Sequence, residues 1–105
     1  MLQIKELPHI CGIYKITNKI NTHCYIGQST DIYNRFNCHH IYDYINPKSP
    51  NYNFQIYQAF RKYGLENFKV TILEECQPDE LDEREIYWIK YFNSFEYGYN
   101  ATPGG

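Results

Sequence analysis

Apolar and polar residues alternate with a period of two near the start of the chain, a pattern typical of β-strands. One such run contains Gly12-Ile13-Tyr14 and the next contains Tyr25-Ile26-Gly27. Residues 17–22 between them have the composition of a turn, so the two runs are predicted to form a β-hairpin. Because strand side chains alternate between faces, Tyr14 and Tyr25 share one face if the register sets them opposite each other, and the glycines beside them leave the backbone open to a ligand.

Helical periodicity follows the hairpin in three places. After capping residues 28–31, a first helix is predicted, with large side chains at four-residue steps: Ile32, Phe36, His40 and Tyr44. A second helix is predicted over about 52–63, a third strand over 68–73, and a third helix over about 78–94. The predicted order is therefore β-β-α-α-β-α.

Length and composition favour one small domain. The chain has 105 residues, 43% of them hydrophobic, which is enough for one core, so residues 1–105 are expected to form a single domain. No apolar run approaches the roughly 20 residues that span a membrane, and the N-terminus lacks a signal-peptide pattern. We therefore expect an intracellular protein without a membrane partner.

Charge is divided unevenly along the chain. Residues 1–70 contain eight basic and four acidic side chains, whereas residues 71–105 contain two basic and eight acidic ones, for a formal net charge of -2. Proteins that bind nucleic acid by electrostatics alone are usually far more basic, because phosphate neutralisation supplies most of the affinity. Any DNA binding is therefore expected to be weak, local or assisted.

Histidine and cysteine lie close together in three places, but none has the spacing of a tetrahedral zinc site. The groups are His9 with Cys11, His23 with Cys24, and Cys38 with the two histidines after it. Adjacent strand residues point to opposite faces and do not readily bind one metal ion. Structural zinc is therefore disfavoured.

A carboxylate interrupts the apolar stripe of the third helix. The stripe consists of Leu81, Trp88, Ile89 and Phe92. Glu85 lies within it, and because an unpaired buried charge is costly, we expect Glu85 to meet a cation, a metal or the edge of a cleft. An ion pair with Arg35 or Arg84 is an equally good interpretation from the pattern alone.

The first helix contributes two more polar side chains. Arg35 and His39 are four residues apart and share one face of an α-helix, whereas His40 is expected to point about 100° away. Two phenols, an arginine, a histidine and an inward carboxylate together suit phosphodiester hydrolysis. A divalent ion on the carboxylate polarises the phosphate, the guanidinium stabilises negative charge, and phenol or imidazole transfers protons.

Several motifs occur in a fixed order: Gly12-Ile13-Tyr14, Tyr25-Ile26-Gly27 with Gln28-Ser29, Arg35, Glu85 within 83–89, and the closing segment 98–105. In these motifs the chain resembles the GIY-YIG endonuclease family over nearly its whole length. The resemblance implies an α+β fold in which helices flank a three-stranded antiparallel sheet. It also implies a nuclease that cuts double-stranded DNA with one divalent ion per active site, usually Mg²⁺, with Mn²⁺ as the alternative.

The resemblance assigns catalytic roles to four matched residues. Tyr14 corresponds to the proposed general base, Tyr25 to the residue that positions phosphate and water, and Arg35 to the arginine on the scissile phosphate. Glu85 corresponds to the metal ligand. For a phenol to act as a base, nearby cations must lower its pKa from about 10.

Other matched positions are expected to assist. His39 falls at the family's histidine or tyrosine position and is preferred over His40 as a catalytic residue. Gly27 and Ser29 belong to the second motif and are expected to bind substrate. Asn100 corresponds to a late asparagine that orders the site or contacts the backbone.

Several alternatives stay open. We expect no separate DNA-binding domain in this chain, so cutting both strands would require a homodimer, successive nicks or a separate targeting partner. Homing, restriction, repair and viral roles are all compatible with the resemblance, and a phage or viral protein would act inside the host cell. An inactive nucleic-acid-binding module and a protein-interaction domain that uses the acidic third helix are the competing classes.

Overall fold

The computed structural model describes residues 6–104, and within them an antiparallel sheet is covered by helices on both faces. Residues 1–5 and Gly105, which include most of the N-terminus considered for a signal peptide and the end of the closing motif, lie outside this range. The elements are β1 (Gly12–Asn18), β2 (Cys24–Ser29), α1 (Ile32–Asn34), a π-helical segment (Arg35–His40), α2 (Ile41–Ile45), α3 (Gln55–Tyr63), β3 (Phe68–Glu75) and α4 (Leu81–Phe92). The predicted element order is confirmed.

The sheet has the strand order β2-β1-β3, with β1 antiparallel to both neighbours. The predicted hairpin is present, but its register differs from the one that sets the two tyrosines opposite each other. Tyr14 pairs with Gly27, and Ile16 pairs with Tyr25. The tyrosines are therefore diagonal neighbours, and they still share one face because the shift is two residues.

Each face of the sheet has its own hydrophobic core. Tyr14 and Ile16 pack against the helices that precede β3, together with Phe36, Ile56 and Phe60. The opposite face packs against α4; its buried members are Ile13, Cys24, Ile26, Leu81 and Ile89. A strand buried on both sides explains why β1 is apolar at successive positions.

The first predicted helix is a continuous helical segment over residues 32–45 that changes its period in the middle. The Asp31 side chain caps its start by accepting a hydrogen bond from the Asn34 N–H at 3.0 Å. Between Arg35 and His40 the backbone is π-helical, and the Ile41 N–H donates to the Phe36 carbonyl five residues earlier. Such segments are rare and occur frequently at functional sites.

The remaining helix boundaries differ from the predictions for local reasons. Turn hydrogen bonds occupy residues 46–54, so α3 begins at Gln55 rather than near 52. Before α4, Pro78–Glu80 forms a 3₁₀ turn in which the Gln77 N–H donates to the Glu80 carboxylate at 2.8 Å. Within residues 6–104 none of the helices is long and apolar enough to cross a membrane.

Candidate active site

Tyr14 lies at the centre of the candidate site because Gly27 leaves room for its ring. The two residues are register partners, and a Cβ at Gly27 would overlap the Tyr14 ring and hydroxyl. At Gly12 a Cβ would overlap the Glu74 backbone of β3. The expectation that these glycines leave open space for a ligand is therefore wrong, since the protein's own atoms fill that space.

The Tyr14 hydroxyl lies in a line of buried hydrogen bonds. Its Oη is 2.6 Å from His40 Nε2, and His40 Nδ1 is 2.7 Å from the Tyr57 Oη. All three side chains are at most 1% exposed. The imidazole therefore connects a β1 phenol with an α3 phenol inside the core.

His40 faces the core with Phe36, as their four-residue spacing predicts, and the π-helical segment also brings it to the side of Arg35. The prediction assumed an α-helix, in which residues four apart share a face. In the π-helical segment residues five apart share a face, so His40 is buried beside the half-buried Arg35 while His39 is exposed. His39 lines an open cavity with Arg35 instead of contacting the phenols.

Burial controls the protonation of this cluster. It lowers the pKa of His40 from 6.5 to about 3, with a further contribution from the neighbouring Arg35 charge. Burial also raises the pKa of Tyr14 well above its usual value, and that of Tyr57, although Arg35 opposes both shifts. The condition that cations lower the phenol pKa of Tyr14 is therefore not met, and both Tyr14 and His40 are neutral at pH 7.

Arg35 bridges the buried phenols and the cavity. Burial alone would lower the pKa of its guanidinium, but the hydrogen bond and proximity to Tyr14, with further contributions from Tyr25 and Tyr57, raise it above its usual value. Its Nε is buried and finds no hydrogen-bond partner among residues 6–104. A buried donor without a partner is rare in native proteins and indicates a place where a ligand acceptor fits.

Glu85 approaches from α4, on the other side of the sheet from Tyr14. Gln28 Nε2, at the end of β2, donates to Glu85 Oε1 at 3.3 Å and to Asp82 Oδ1 at 2.8 Å. Tyr25 connects this carboxylate to Arg35: burial raises the pKa of Tyr25, Arg35 lowers it, and Glu85 raises it. Arg84, the alternative partner considered for Glu85, pairs with Glu74 at 2.8 Å.

An open cavity of about 370 Å³ lies beside this cluster. Its lining is polar and consists of Gln28, Ser29, Thr30, Asp31, Asn34, Arg35 and His39. The Ser29 hydroxyl is used locally, since it donates to the Asp31 carbonyl at 2.8 Å and accepts from the Asp31 N–H at 2.9 Å. The structure thus brings Arg35, His39 and Ser29 to one surface, with the phenols beneath Arg35.

Asn100 lies at the edge of β2. Its Oδ1 accepts from the Ile26 N–H at 2.8 Å, and its Nδ2 donates to the Ile26 carbonyl at 2.9 Å. The Tyr99 N–H donates to the Cys24 carbonyl of the same strand. The closing segment therefore satisfies the free edge of the strand that holds Tyr25 and Gly27.

Comparison with known proteins gives this cluster a family. Residues 10–100 match the GIY-YIG catalytic domain. The chain belongs to the GIY-YIG family. The predicted family and the predicted α+β fold are both confirmed, because the catalytic domain of the homing endonuclease I-TevI has the same fold, with a TM-score of 0.74 and 34% identity over 88% of this chain and 98% of that one.

Two curated relatives carry endonuclease names. Intron-associated endonuclease 1 of Enterobacteria phage T4 is 36% identical over 93 residues, which cover 87% of this chain and 36% of that protein. Probable intron-encoded endonuclease 1 of Neurospora crassa is 41% identical over 96 residues, 85% of this chain and 29% of that protein. The chain thus spans well under half the length of these relatives, and its organisation as a single domain stays a prediction.

Sequence reasoning missed three residues of the GIY-YIG cluster. His40 was set aside on an assumed α-helical period, and Tyr57 was predicted only as part of the apolar surface of the second helix. Asp43, whose carboxylate lies near the Tyr57 hydroxyl, carried no signal. An aspartate at an otherwise unremarked helical position becomes notable only when its 8% exposure is known.

Proposed function

We propose that this GIY-YIG domain is a divalent-metal-dependent DNA endonuclease that hydrolyses phosphodiester bonds. The main support is the position of Arg35, which lies between two phenols and an open polar cavity. Its buried Nε has no hydrogen-bond partner among the described residues. A phosphate oxygen is the acceptor that a guanidinium binds best. The endonuclease names of the relatives support the same reaction class.

Each side chain then has a defined task. Arg35 binds the scissile phosphate and stabilises the charge that develops on it. Tyr25, between Arg35 and Glu85, positions the phosphate and the attacking water. Tyr14 is the general base, and because it is fully buried here, its hydroxyl must become accessible to water when substrate binds.

The donor set fits a hard divalent ion. Glu85 supplies a carboxylate, which is a ligand that Mg²⁺ or Mn²⁺ favours. A second carboxylate, that of Asp82, accepts a hydrogen bond from the same Gln28 nitrogen as Glu85. Among residues 6–104 no three His, Cys, Asp or Glu side chains are arranged to enclose a metal, so Glu85 would hold the ion with water and phosphate oxygens. When bound, the ion would stabilise charge on the phosphate and the leaving oxygen.

The supporting residues act at different distances. Ser29 and the exposed His39 line the cavity and are placed to contact the DNA backbone. Gly27 admits the Tyr14 ring, and Asn100 orders the β2 edge, so both act on substrate through the protein rather than by direct contact. A homodimer or a separate targeting partner would supply the second cut or the choice of target.

The proposal is tested with supercoiled plasmid DNA. Purified protein is incubated with Mg²⁺, with Mn²⁺ or with EDTA, alongside Arg35→Ala and Glu85→Gln. We expect metal-dependent cleavage that each variant reduces at least about 10²-fold, because each removes charge stabilisation of the transition state. The ratio of nicked to linear product reports whether one chain cuts one strand or both.

Glu83→Gln is the matched control, since Glu83 is an exposed carboxylate on the same helix. It should cleave like wild type. Folded wild type that binds DNA but cleaves with neither metal would instead indicate a binding module of this fold. Cleavage that persists in EDTA would overturn the metal assignment.

A further inference from the structure

The hydrogen bonds that begin at Tyr14 continue beyond the residues with a proposed catalytic task. From the Tyr14 Oη they pass through His40 Nε2 and Nδ1 to the Tyr57 Oη, at 2.6 Å and 2.7 Å. Burial raises the pKa of the Tyr57 hydroxyl, and the nearby Asp43 carboxylate of α2 raises it further. Four polar side chains thus form one buried line across the core between the sheet and α3.

The line ends at a carboxylate that two further groups hold in place. Asp43 Oδ1 accepts from the Ser49 hydroxyl at 2.6 Å, and Oδ2 accepts from Asn51 Nδ2 at 3.2 Å. Asp43 and Ser49 are 8% and 5% exposed. The turns after α2 therefore form a cap that satisfies this carboxylate, which is how a buried charge is tolerated.

An ionised carboxylate only accepts hydrogen bonds, so it sets the direction of the whole line. The nearby Asp43 carboxylate therefore orients the Tyr57 hydroxyl proton toward itself, and the Tyr57 oxygen accepts from His40. His40 then carries its proton on Nδ1 and presents an unprotonated Nε2 to Tyr14. The Tyr14 hydroxyl in turn donates to His40.

We propose that Asp43 and Tyr57 are positioning residues of the nuclease reaction, which fix the His40 tautomer so that Tyr14 can release its proton as it takes one from the attacking water. The inference rests on the proposed nuclease function and extends it. It answers a difficulty of the site, because a phenol whose pKa is raised by burial is not available as a phenolate. A neutral phenol acts as a base only if it passes its own proton on.

The proton transfer balances along the line. The water oxygen bonds to phosphorus as the bond to the leaving oxygen breaks, and the water proton moves to the Tyr14 Oη. The leaving oxygen departs as an alkoxide and takes a proton from solvent water. The Tyr14 proton moves to His40 Nε2, the Nδ1 proton to the Tyr57 Oη, and the Tyr57 proton to Asp43. Each relay group gives one proton and gains one, so no imidazolium remains in the core, where burial and Arg35 disfavour it.

Nuclear magnetic resonance of the His40 imidazole tests the direction of these hydrogen bonds and does not require DNA cleavage. A two-bond ¹H–¹⁵N correlation spectrum of the 105-residue chain distinguishes the protonated ring nitrogen from the bare one. We expect wild-type His40 to be protonated on Nδ1. In Tyr57→Phe and Asp43→Asn, His40 should no longer favour the Nδ1-protonated tautomer. Tyr63→Phe is the matched control in α3, and there His40 should still favour it.

The rate of single-turnover DNA cleavage then tests whether the tautomer matters for the reaction. Tyr57→Phe should slow cleavage about 10²-fold, the size of a typical acid–base contribution, with no change in DNA affinity measured in EDTA. Asp43→Asn should do the same, and Tyr63→Phe should cleave like wild type. Asp43→Asn provides a second variant if Tyr57→Phe does not fold.

Three results would overturn the inference: protonation of wild-type His40 on Nε2, an unchanged tautomer in both variants, or a changed tautomer with wild-type cleavage. If wild type does not cleave DNA at all, the nuclease proposal fails by itself and the inference about the reaction fails with it. The spectrum still decides the direction of the hydrogen bonds in that case, so the two failures are distinguishable.

Discussion

At the scale of single residues, burial rather than net charge sets the properties of the site. His40 is 0% exposed and lies near Arg35, so its neutral form is strongly favoured and its pKa falls to about 3. The exposed His39, one residue earlier, lacks this environment. Two adjacent histidines therefore contribute differently to stability and to chemistry.

We expect the free energy of unfolding to fall as the pH drops from about 7.5 to about 5. Between pH 6.5 and about 3 the unfolded chain protonates His40 while the folded protein does not, so protons favour unfolding. The stability is present above pH 6.5 and is lost as the pH falls, by about 2 kcal/mol at pH 5. Urea unfolding at several pH values measures the slope.

The two histidines provide the matched comparison. His40→Gln should remove this part of the pH dependence, while His39→Gln should keep it. Equal slopes in both variants would show that His40 is not the group responsible.

The contact between Gly27 and the Tyr14 ring predicts a second single-residue effect. Gly27→Ala should destabilise the protein by about 1–3 kcal/mol, because the added methyl group overlaps a ring in a close-packed core. Urea unfolding measures the cost. In a Tyr14→Leu background, where the ring is absent, the same substitution should cost clearly less; an unchanged cost would contradict the clash.

At the scale of elements, the π-helical segment decides which side chain reaches Tyr14. It holds one residue more between Arg35 and His40 than an α-helix needs to bring a side chain back to the same face. The helix keeps its apolar side toward the core before and after the segment, since Ile32 is buried there and Tyr44 packs against the same cluster. The extra residue is thus absorbed locally, next to the site.

We therefore expect deletion of the exposed Cys38 to be tolerated. The segment would become α-helical, with His40 four residues after Arg35 and still facing Tyr14, at a cost within about 1 kcal/mol. Urea unfolding measures the cost in stability, and the His40 imidazole spectrum shows whether His40 still bonds to Tyr14.

Deletion of the exposed Gln58 from α3 is the control. It would rotate part of a regular helix by about 100° and displace buried side chains such as Phe60, at a cost above about 3 kcal/mol. Similar costs for the two deletions would contradict the assignment of the π-helical segment as an absorbed insertion.

At the scale of the whole molecule, two helical layers meet at the β2 edge, so the site joins groups from both faces of the sheet. The overall charge does little to attract DNA: the formal net value is -2, and at least two of the basic side chains among residues 6–104 are used internally. Arg61 donates to the carbonyls of Tyr44 and Tyr52, and Arg84 pairs with Glu74. Phosphate recognition therefore depends on a few local contacts.

Binding of Glu85→Gln chain to non-specific duplex DNA should accordingly be weak, with a Kd no tighter than about 10⁻⁴ M at physiological salt. Fluorescence anisotropy across salt concentrations measures the affinity and its salt slope. Adding Arg35→Ala should reduce the slope by about one unit, because one phosphate contact is lost. A Kd below about 10⁻⁶ M, or an unchanged slope, would contradict a single dominant phosphate contact at Arg35.

The amino-acid sequence alone was enough to predict the family and the order of strands and helices. These features depend on local periodicity, capping residues and short motifs, which are visible without any long-range contact. The same information indicated that Glu85 interrupts an apolar stripe. The nuclease mechanism built on these residues stays a proposal.

Three features of the site became visible only in the folded structure: which histidine contacts Tyr14, what occupies the space at Gly27, and that Asp43 lies beside the Tyr57 hydroxyl. Hydrophobic spacing placed His40 on the buried face, but its approach to Tyr14 on the side of Arg35 depends on a one-residue change of helical period, which that spacing does not reveal. The other two depend on packing between elements far apart in sequence, Gly27 against β1 and Asp43 against α3. Close packing and the satisfaction of buried polar groups select these contacts, and both act only once the chain has folded.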